Sequence, residues 1–236
     1  MFIDQDKCIG CESCLNWCPM GAIKMGEATA VIDPEECVEC NVCRRVDICP
    51  VDAFMQEPLE WPRSVRAIYS DPLNIHKETG LAGRGTEEIK TNDVTGRFRR
   101  GQAGVAIEVG RPGVGAKLKE LEKLSMVLAR YGVEFEPKNP LTNLINPHTG
   151  QLPAEIREEK VLSAIIEVTV EEAKLIDVLG LIKETAKGLE TVISMDVACR
   201  ATEDGTWPCA RILKEAGIFY RSNAKINVGL GKPYIG

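Results

Sequence analysis

Eight cysteines stand before residue 50, in two runs that share one spacing. Asp4 to Ile23 reads DQDKCIGCESCLNWCPMGAI, and Asp33 to Phe54 reads DPEECVECNVCRRVDICPVDAF. Each run is D-x3-C-x2-C-x2-C, then a spacer, then C-P-x-x-A and an apolar residue. The spacer is Leu15 to Trp17 in the first copy and Arg44 to Ile48 in the second. Three thiolates at two-residue gaps wrap one short turn and can cap three corners of a cubane metal–sulfide cluster, so a fourth ligand must arrive from elsewhere in the chain. Zinc is the rival, because C-x2-C pairs also form zinc knuckles. Two features disfavour it: three ligands sit on a single turn, and both runs end in C-P.

The arrangement resembles the bacterial ferredoxins that carry two 4Fe–4S clusters, over about the first 57 residues. The resemblance implies that the fourth cysteine of each run crosses to the other cluster. Cys8, Cys11, Cys14 and Cys49 would then hold one cluster, and Cys37, Cys40, Cys43 and Cys18 the other. Ligation by four thiolates leaves no iron corner open for substrate, which points to electron transfer. The longer second spacer adds Arg44 and Arg45 beside Cys43. Positive charge there favours the reduced cluster, so two unequal potentials are expected.

The remaining composition is ordinary for a soluble chain of 236 residues, 44% hydrophobic, with mean hydropathy near −0.10. No apolar run approaches the roughly 18 residues that would span a bilayer. The opening MFIDQDKCIG is unlike a signal peptide, and a cytoplasmic location is expected, where ten cysteines are not expected to form disulfides. Up to Glu60 there are four Lys/Arg against twelve Asp/Glu. That acidity argues against nucleic-acid binding and for docking onto a basic partner. His76 and His148 each stand without a second nitrogen or sulfur ligand nearby in sequence, which argues against metal ligation by either.

Three segments follow from these patterns: a cluster domain over 1–57, an irregular but ordered connector over 58–104, and an α+β domain over 105–236. In the connector, Gly80, Gly83 and Gly85 permit turns around Arg84, while Arg97, Arg99 and Arg100 follow, with Arg111 soon after. These arginines form a candidate site for a carboxylate or phosphate cofactor. The plainer reading, which we favour, is that they pair with the acidic first domain and fasten the two domains together.

From Val105 periodicity returns. Val105, Ile107 and Val109 alternate. Leu118, Leu121, Leu128 and Tyr131 lie at helical spacing, closed by Gly132, and Val133 and Phe135 mark a short strand. A strand over 161–170 follows, then a capping-box pattern at Thr169 and Glu172 that would start a helix with a stripe of Leu175, Val178, Leu179, Ile182, Ala186 and Leu189. TVISMDVACR is a fourth strand. The order βαββαβ predicts an antiparallel sheet with both helices on one face. That architecture is similar to the split βαβ plait and to ACT-type regulatory domains, with no ligand motif to transfer. A short helix from Pro208 and strands at GIFY and KINVGL are expected beyond it.

The other sheet face would carry Glu108, Glu134, Glu136, Glu167, Asp196 and Arg200 in solvent, or pair in a homodimer. Cys199 is expected as a buried apolar thiol, and Cys209 at a helix start where a thiolate is stabilised. No Ser/His/Asp or Cys/His constellation emerges in this domain.

The reading is an electron-transfer protein, a subunit or dedicated donor of a larger anaerobic oxidoreductase complex, with two 4Fe–4S clusters and a second domain for docking. The alternative is a redox- or ligand-sensing regulator whose second domain binds an anionic metabolite.

Overall fold

The computed structural model of the chain describes residues 1–83, 99–110 and 113–221. The cysteine-rich segment builds four short strands, β1 (Phe2–Ile3), β2 (Ile23–Met25), β3 (Ala30–Ile32) and β4 (Phe54–Met55), and one helical turn, α1 (Val42–Arg45). β1 pairs antiparallel with β4, and β2 with β3. The shared apolar core is small: Ile3, Ile23, Ala30, Ala53 and Phe54 are its buried members. A core of that size needs further ligation to hold it together.

The connector contains a helix that the sequence pattern did not reveal. α2 (Ser64–Ser70) buries Val65, Arg66, Tyr69 and Ser70. Its apolar positions are few and are flanked by Pro62 and Pro72, so little helical periodicity shows.

The second domain is organised by a sheet of β5 (Gln102–Val109), β7 (Glu134–Phe135), β9 (Ala164–Glu171) and β10 (Ile193–Cys199), with a separate two-stranded ladder of β6 (Ala116–Lys117) and β8 (Lys160–Val161). The sheet order is β10-β5-β9-β7, and every neighbouring pair is antiparallel. The helix α3 (Leu118–Tyr131) connects β6 to β7, and α4 (Leu175–Ala186) connects β9 to β10. Leu118, Leu121, Leu124 and Leu128 of α3 meet Leu175, Val178, Leu179 and Ile182 of α4 in one core with Val105, Ile107 and Val109. Gly132 ends α3 with φ +84°, a left-handed cap that glycine adopts without penalty. Tyr131, by contrast, is exposed.

Several expectations are corrected. Thr169 does not cap a helix: it is paired with Gly104 and Glu134 inside the sheet, and α4 starts only at Leu175, after a 3-10 turn at Glu172–Lys174. The strand expected over 161–170 is two strands, because β8 leaves to pair with β6. GIFY forms no strand. Its first residues close the helix α5 (Pro208–Glu215), where the Gly217 N–H donates to the Lys214 carbonyl and the Ile218 N–H to the Leu213 carbonyl. KINVGL lies outside the described residues. The second sheet face is not solvated at its centre, where Ala106, Ile165, Glu167 and Glu136 are all buried. Asn139 supports this closure, donating from Nδ2 to the Ile165 carbonyl (3.1 Å) and to Glu167 Oε2 (2.8 Å). Among the described residues, no helix is long and apolar enough to cross a membrane.

Candidate metal centres

The two cysteine runs fold as near-copies. Each opens with an aspartate whose carbonyl accepts the N–H of the first cysteine, Asp4 from Cys8 and Asp33 from Cys37, both at 3.0 Å. Left-handed residues then recur in register: Gly10 and Glu39, Glu12 and Asn41, and Gly21 and Asp52, with φ between +46° and +66°. Such conformations are what let a chain double back within three residues, so that successive thiols point to one centre. Gly10 is further constrained, because a Cβ there would stand 2.3 Å from the Ala28 carbonyl oxygen.

Hydrogen bonds at the ends of the runs hold the fourth cysteine of each run beside the other run. The Asp4 N–H donates to the Ala53 carbonyl and the Asp33 N–H to the Ala22 carbonyl, each at 2.8 Å. The head of each copy is thereby fastened to the tail of one of them in alternation, which carries Cys49 to the first run and Cys18 to the second. Two hollows result, each with about 360 Å³ of empty space including the part open to solvent. Cys8, Cys11, Cys14 and Cys49 line the first, and Cys37, Cys40, Cys43 and Cys18 the second. The structure thus brings together the two sets of four expected from the sequence. In each hollow the crossing sulfur accepts a backbone N–H, Cys18 Sγ from Ala22 (3.2 Å) and Cys49 Sγ from Ala53 (3.3 Å).

The thiols differ in environment. Burial pushes Cys14, Cys37 and Cys40 upward, and burial together with the neighbouring Cys40 and Cys37 pushes Cys43 up to about 12. The Ser13 side chain, by hydrogen bonding, draws Cys11 downward at the open rim of the first hollow.

The donor sets fit a polynuclear cluster better than single zinc ions. Zinc at about 2.3 Å from each sulfur draws tetrahedral ligands to roughly 3.7 Å of one another. Among the described residues, the one group of three or more His, Cys, Asp or Glu ligand atoms within 4.8 Å of one another lies elsewhere, at Glu172, Cys199 and Cys209. The eight sulfurs around the two hollows are spread more widely. When bound, a 4Fe–4S cluster supplies one-electron exchange. The chain supplies the thiolates, the N–H donors to sulfur and the surrounding charge.

That charge is unequal. At the second hollow Arg45 donates to the Cys40 carbonyl (2.7 Å) and to Asp71 Oδ1 (2.8 Å), and Asn41 donates to Asp71 Oδ2 (2.8 Å). Arg66 Nη1 donates to the carbonyls of Pro34 (2.9 Å), Glu35 (3.2 Å) and Cys37 (2.9 Å), while its Nε meets Glu159. Arg63 pairs with the buried Glu39 at 2.7 Å. Burial alone would raise the Glu39 carboxyl, but hydrogen bonds from the Met1 ammonium and Arg63 outweigh it and hold the group below its usual range. Arg44 is exposed. Neither hollow has an arginine in its lining: the first carries Glu12 and the second Glu39, and the arginines reach the second only through the backbone carbonyls and Glu39 around it.

Of the arginines expected to form an anion site, only Arg99 and Arg100 fall among the described residues. Arg84, Arg97 and Arg111 lie outside the described residues. Arg100 pairs loosely with Glu203 at 3.4 Å, both largely exposed, and Arg99 is exposed at the entrance to β5. Among the described residues, Lys160 to Glu36 (2.5 Å) ties the second domain to the cluster segment, while Arg66 to Glu159 and the Ser70 hydroxyl accepting the Leu162 N–H (2.8 Å) tie the connector to the second domain. The spacing of Arg63 and Arg66 on one helical face was the signal available.

A duplicated fold with two four-sulfur hollows defines a two-centre iron–sulfur domain. A family model for the 4Fe-4S dicluster domain matches residues 1–56, and no family model matches the remainder. The chain is 37% identical over 65 residues to a ferredoxin of Rickettsia felis, covering 25% of this chain and 58% of that one. It is 30% identical over 105 residues to ferredoxin Fdx2 of Sorangium cellulosum, covering 42% of this chain and 97% of the relative. It is 39% identical over 56 residues to the pyruvate synthase subunit PorD of Methanothermobacter marburgensis, covering 24% and 63%. The chain belongs, through its N-terminal segment, to the ferredoxins with two 4Fe–4S clusters.

Proposed function

We propose that the chain is an electron carrier of a larger anaerobic oxidoreductase, as a subunit or dedicated donor or acceptor, and that it works in the cytoplasm. Cys8, Cys11, Cys14 and Cys49 hold one 4Fe–4S cluster, and Cys37, Cys40, Cys43 and Cys18 hold the other. The observation that carries this reading is the pair of hollows, each lined by three cysteines of one run and the fourth of its twin. All four thiolates at each centre are needed for ligation, so no iron position is left for substrate, and the centres serve transfer alone. The similarity to a subunit named for pyruvate synthase supports a place within a multi-subunit enzyme.

The segment 1–57 is the redox domain, and 58–104 is the connector, through which Arg63 and Arg66 tie to the rest. The domain over 105–236 provides docking specificity for the redox partner. The acidic character of the first sixty residues suits a basic surface on that partner. The alternative of a metabolite-sensing regulator draws on no specific observation among the described residues.

Anaerobic purification followed by iron and acid-labile sulfide analysis tests the reading, with about eight of each per chain expected for two such clusters. Reduction should produce paramagnetic signals from two interacting centres. Far fewer irons without matching sulfide, or zinc in their place, overturns it. A complex recovered with the native protein from its source should contain an oxidoreductase.

A further inference from the structure

Two cysteines remain outside the redox domain, and the fold brings them together. Cys199 is the last residue of β10 and registers with Ala103 of β5. Glu172 follows the end of β9, and its N–H donates to the Gly101 carbonyl (2.8 Å) just before β5. The start of β5 therefore lies between them, with one neighbour on each side. The first turn of α5 is packed against both the β10 end and the Glu172 turn, and it sets Cys209, buried, beside the pair. The ligand atoms of Glu172, Cys199 and Cys209 all lie within 4.8 Å of one another.

We propose that Glu172, Cys199 and Cys209 bind one thiophilic divalent cation of the zinc class, through two thiolates and one carboxylate oxygen, with water as the fourth ligand. Two sulfurs exclude calcium and magnesium, which take oxygen, and select zinc or a metal of similar softness. The spacing is right for a single ion. Tetrahedral ligands at zinc–sulfur bonds of about 2.3 Å sit roughly 3.7 Å apart, so the three atoms need only close in slightly. This is also the feature that separates the group from the eight sulfurs of the redox domain.

Charge leads to the same conclusion. Two thiolates and a carboxylate crowded at one point repel each other, and a dication between them removes most of that repulsion. On binding, each thiol gives its proton to solvent and its sulfur lone pair to the metal. Cys209 is buried, whereas Glu172 and Cys199 are only partly so, which leaves a side for water and for entry of the ion. The site has a structural consequence as well. α5 is joined to β10 by residues 200–207, nearly all exposed, and a metal would tether that helix to two strand ends at once.

The test uses the full-length, cluster-loaded protein prepared anaerobically under reductant. Zinc chloride is added at one equivalent, loosely held metal is removed by desalting, and zinc and iron are counted together. One zinc per chain at unchanged iron is expected. X-ray absorption at the zinc edge, which iron does not obscure, should show two sulfurs near about 2.3 Å and oxygen near about 2.0 Å. Cys199→Ser and Cys209→Ala should lose the zinc while keeping the iron. Glu172→Gln, on a surface turn and with both thiols intact, should weaken retention at least tenfold. Should the buried Cys209 variant fail to fold, the wild-type spectrum and the Glu172 variant still decide.

The proposal is overturned if no zinc is retained, or if the zinc shell contains four sulfurs, since the ion would then sit in the cysteine runs. Equal retention by the variants overturns it too. So does a Cys199–Cys209 disulfide in the anaerobic protein, seen as a peptide mass two hydrogens short. None of these outcomes depends on how many irons the first domain carries.

Discussion

Arg66 of the connector helix and Glu159 of the second domain form an ion pair, with the Arg66 side chain almost fully buried. The same guanidinium donates to three carbonyls of the loop that leads into Cys37. A buried cation with this many partners is costly to delete, because removing it strands the anion and the acceptors together.

Arg66→Ala should therefore destabilise the protein by about 3–5 kcal/mol. Denaturant unfolding of the anaerobic protein, followed by far-UV dichroism, measures this. Iron should also leave the second centre faster than the first, since the Pro34–Cys37 loop loses its clamp.

Exchange of ligands makes a sharp prediction. Cys18→Ala should abolish the paramagnetic signal of the centre held by the second run, and Cys49→Ala that of the centre held by the first. If ligation were uncrossed, the assignments would swap. Comparing Cys49→Ala with Cys8→Ala is the direct check, since both should erase the same signal.

The second centre should be the easier to reduce. Arg45 places a cation on the Cys40 carbonyl, and positive charge stabilises the more negative, reduced state. Arg45→Gln should lower that centre's potential by on the order of 30 mV, given partial solvent screening. Arg44→Gln, which removes no bond to a carbonyl of the run, should move it less. A potentiometric titration monitored by electron paramagnetic resonance separates the two.

Gly10→Ala should damage the first centre. The residue is left-handed, and the added methyl would meet the Ala28 carbonyl oxygen at 2.3 Å. The combined cost is expected to exceed about 2 kcal/mol. Iron analysis should show the loss confined to the centre of Cys8, Cys11 and Cys14. Position 39, its counterpart, already carries a side chain and turns it onto Arg63 and Met1.

How much of this was legible in the sequence follows from the range of each interaction. The cysteine runs are local and periodic, so their duplication could be read directly. The crossing of Cys18 and Cys49 came only from resemblance to known ferredoxins, because the bonds that impose it, Asp4 to Ala53 and Asp33 to Ala22, join residues 49 and 11 positions apart. Alternation identified Val105, Ile107 and Val109 as buried, and the helical stripes of α3 and α4 were legible for the same reason. Thr169 misled because a capping pattern is a local signal, and sheet pairing with two neighbours overrode it. The buried Glu167 and Glu136 could not be anticipated from charge and alternation alone, since a loop around Asn139 folds back over part of that face. Cys199 and Cys209 do lie on a strand and at a helix start, but Cys199 is only partly buried, and the Cys199 hydrogen bond and burial raise the Cys209 thiol rather than stabilise its thiolate; their meeting is a tertiary event.

The two-residue lengthening of the spacer at residues 44–48 has a wider meaning. Two faithful copies of one motif would leave an arriving electron no preferred seat. The lengthened spacer is expected to break that tie, since it is the stretch that carries Arg45 to the Cys40 carbonyl and Asp71. A twofold ancestry would thereby become a gradient, and the measured order of the two potentials would give the symmetric half of the molecule a direction.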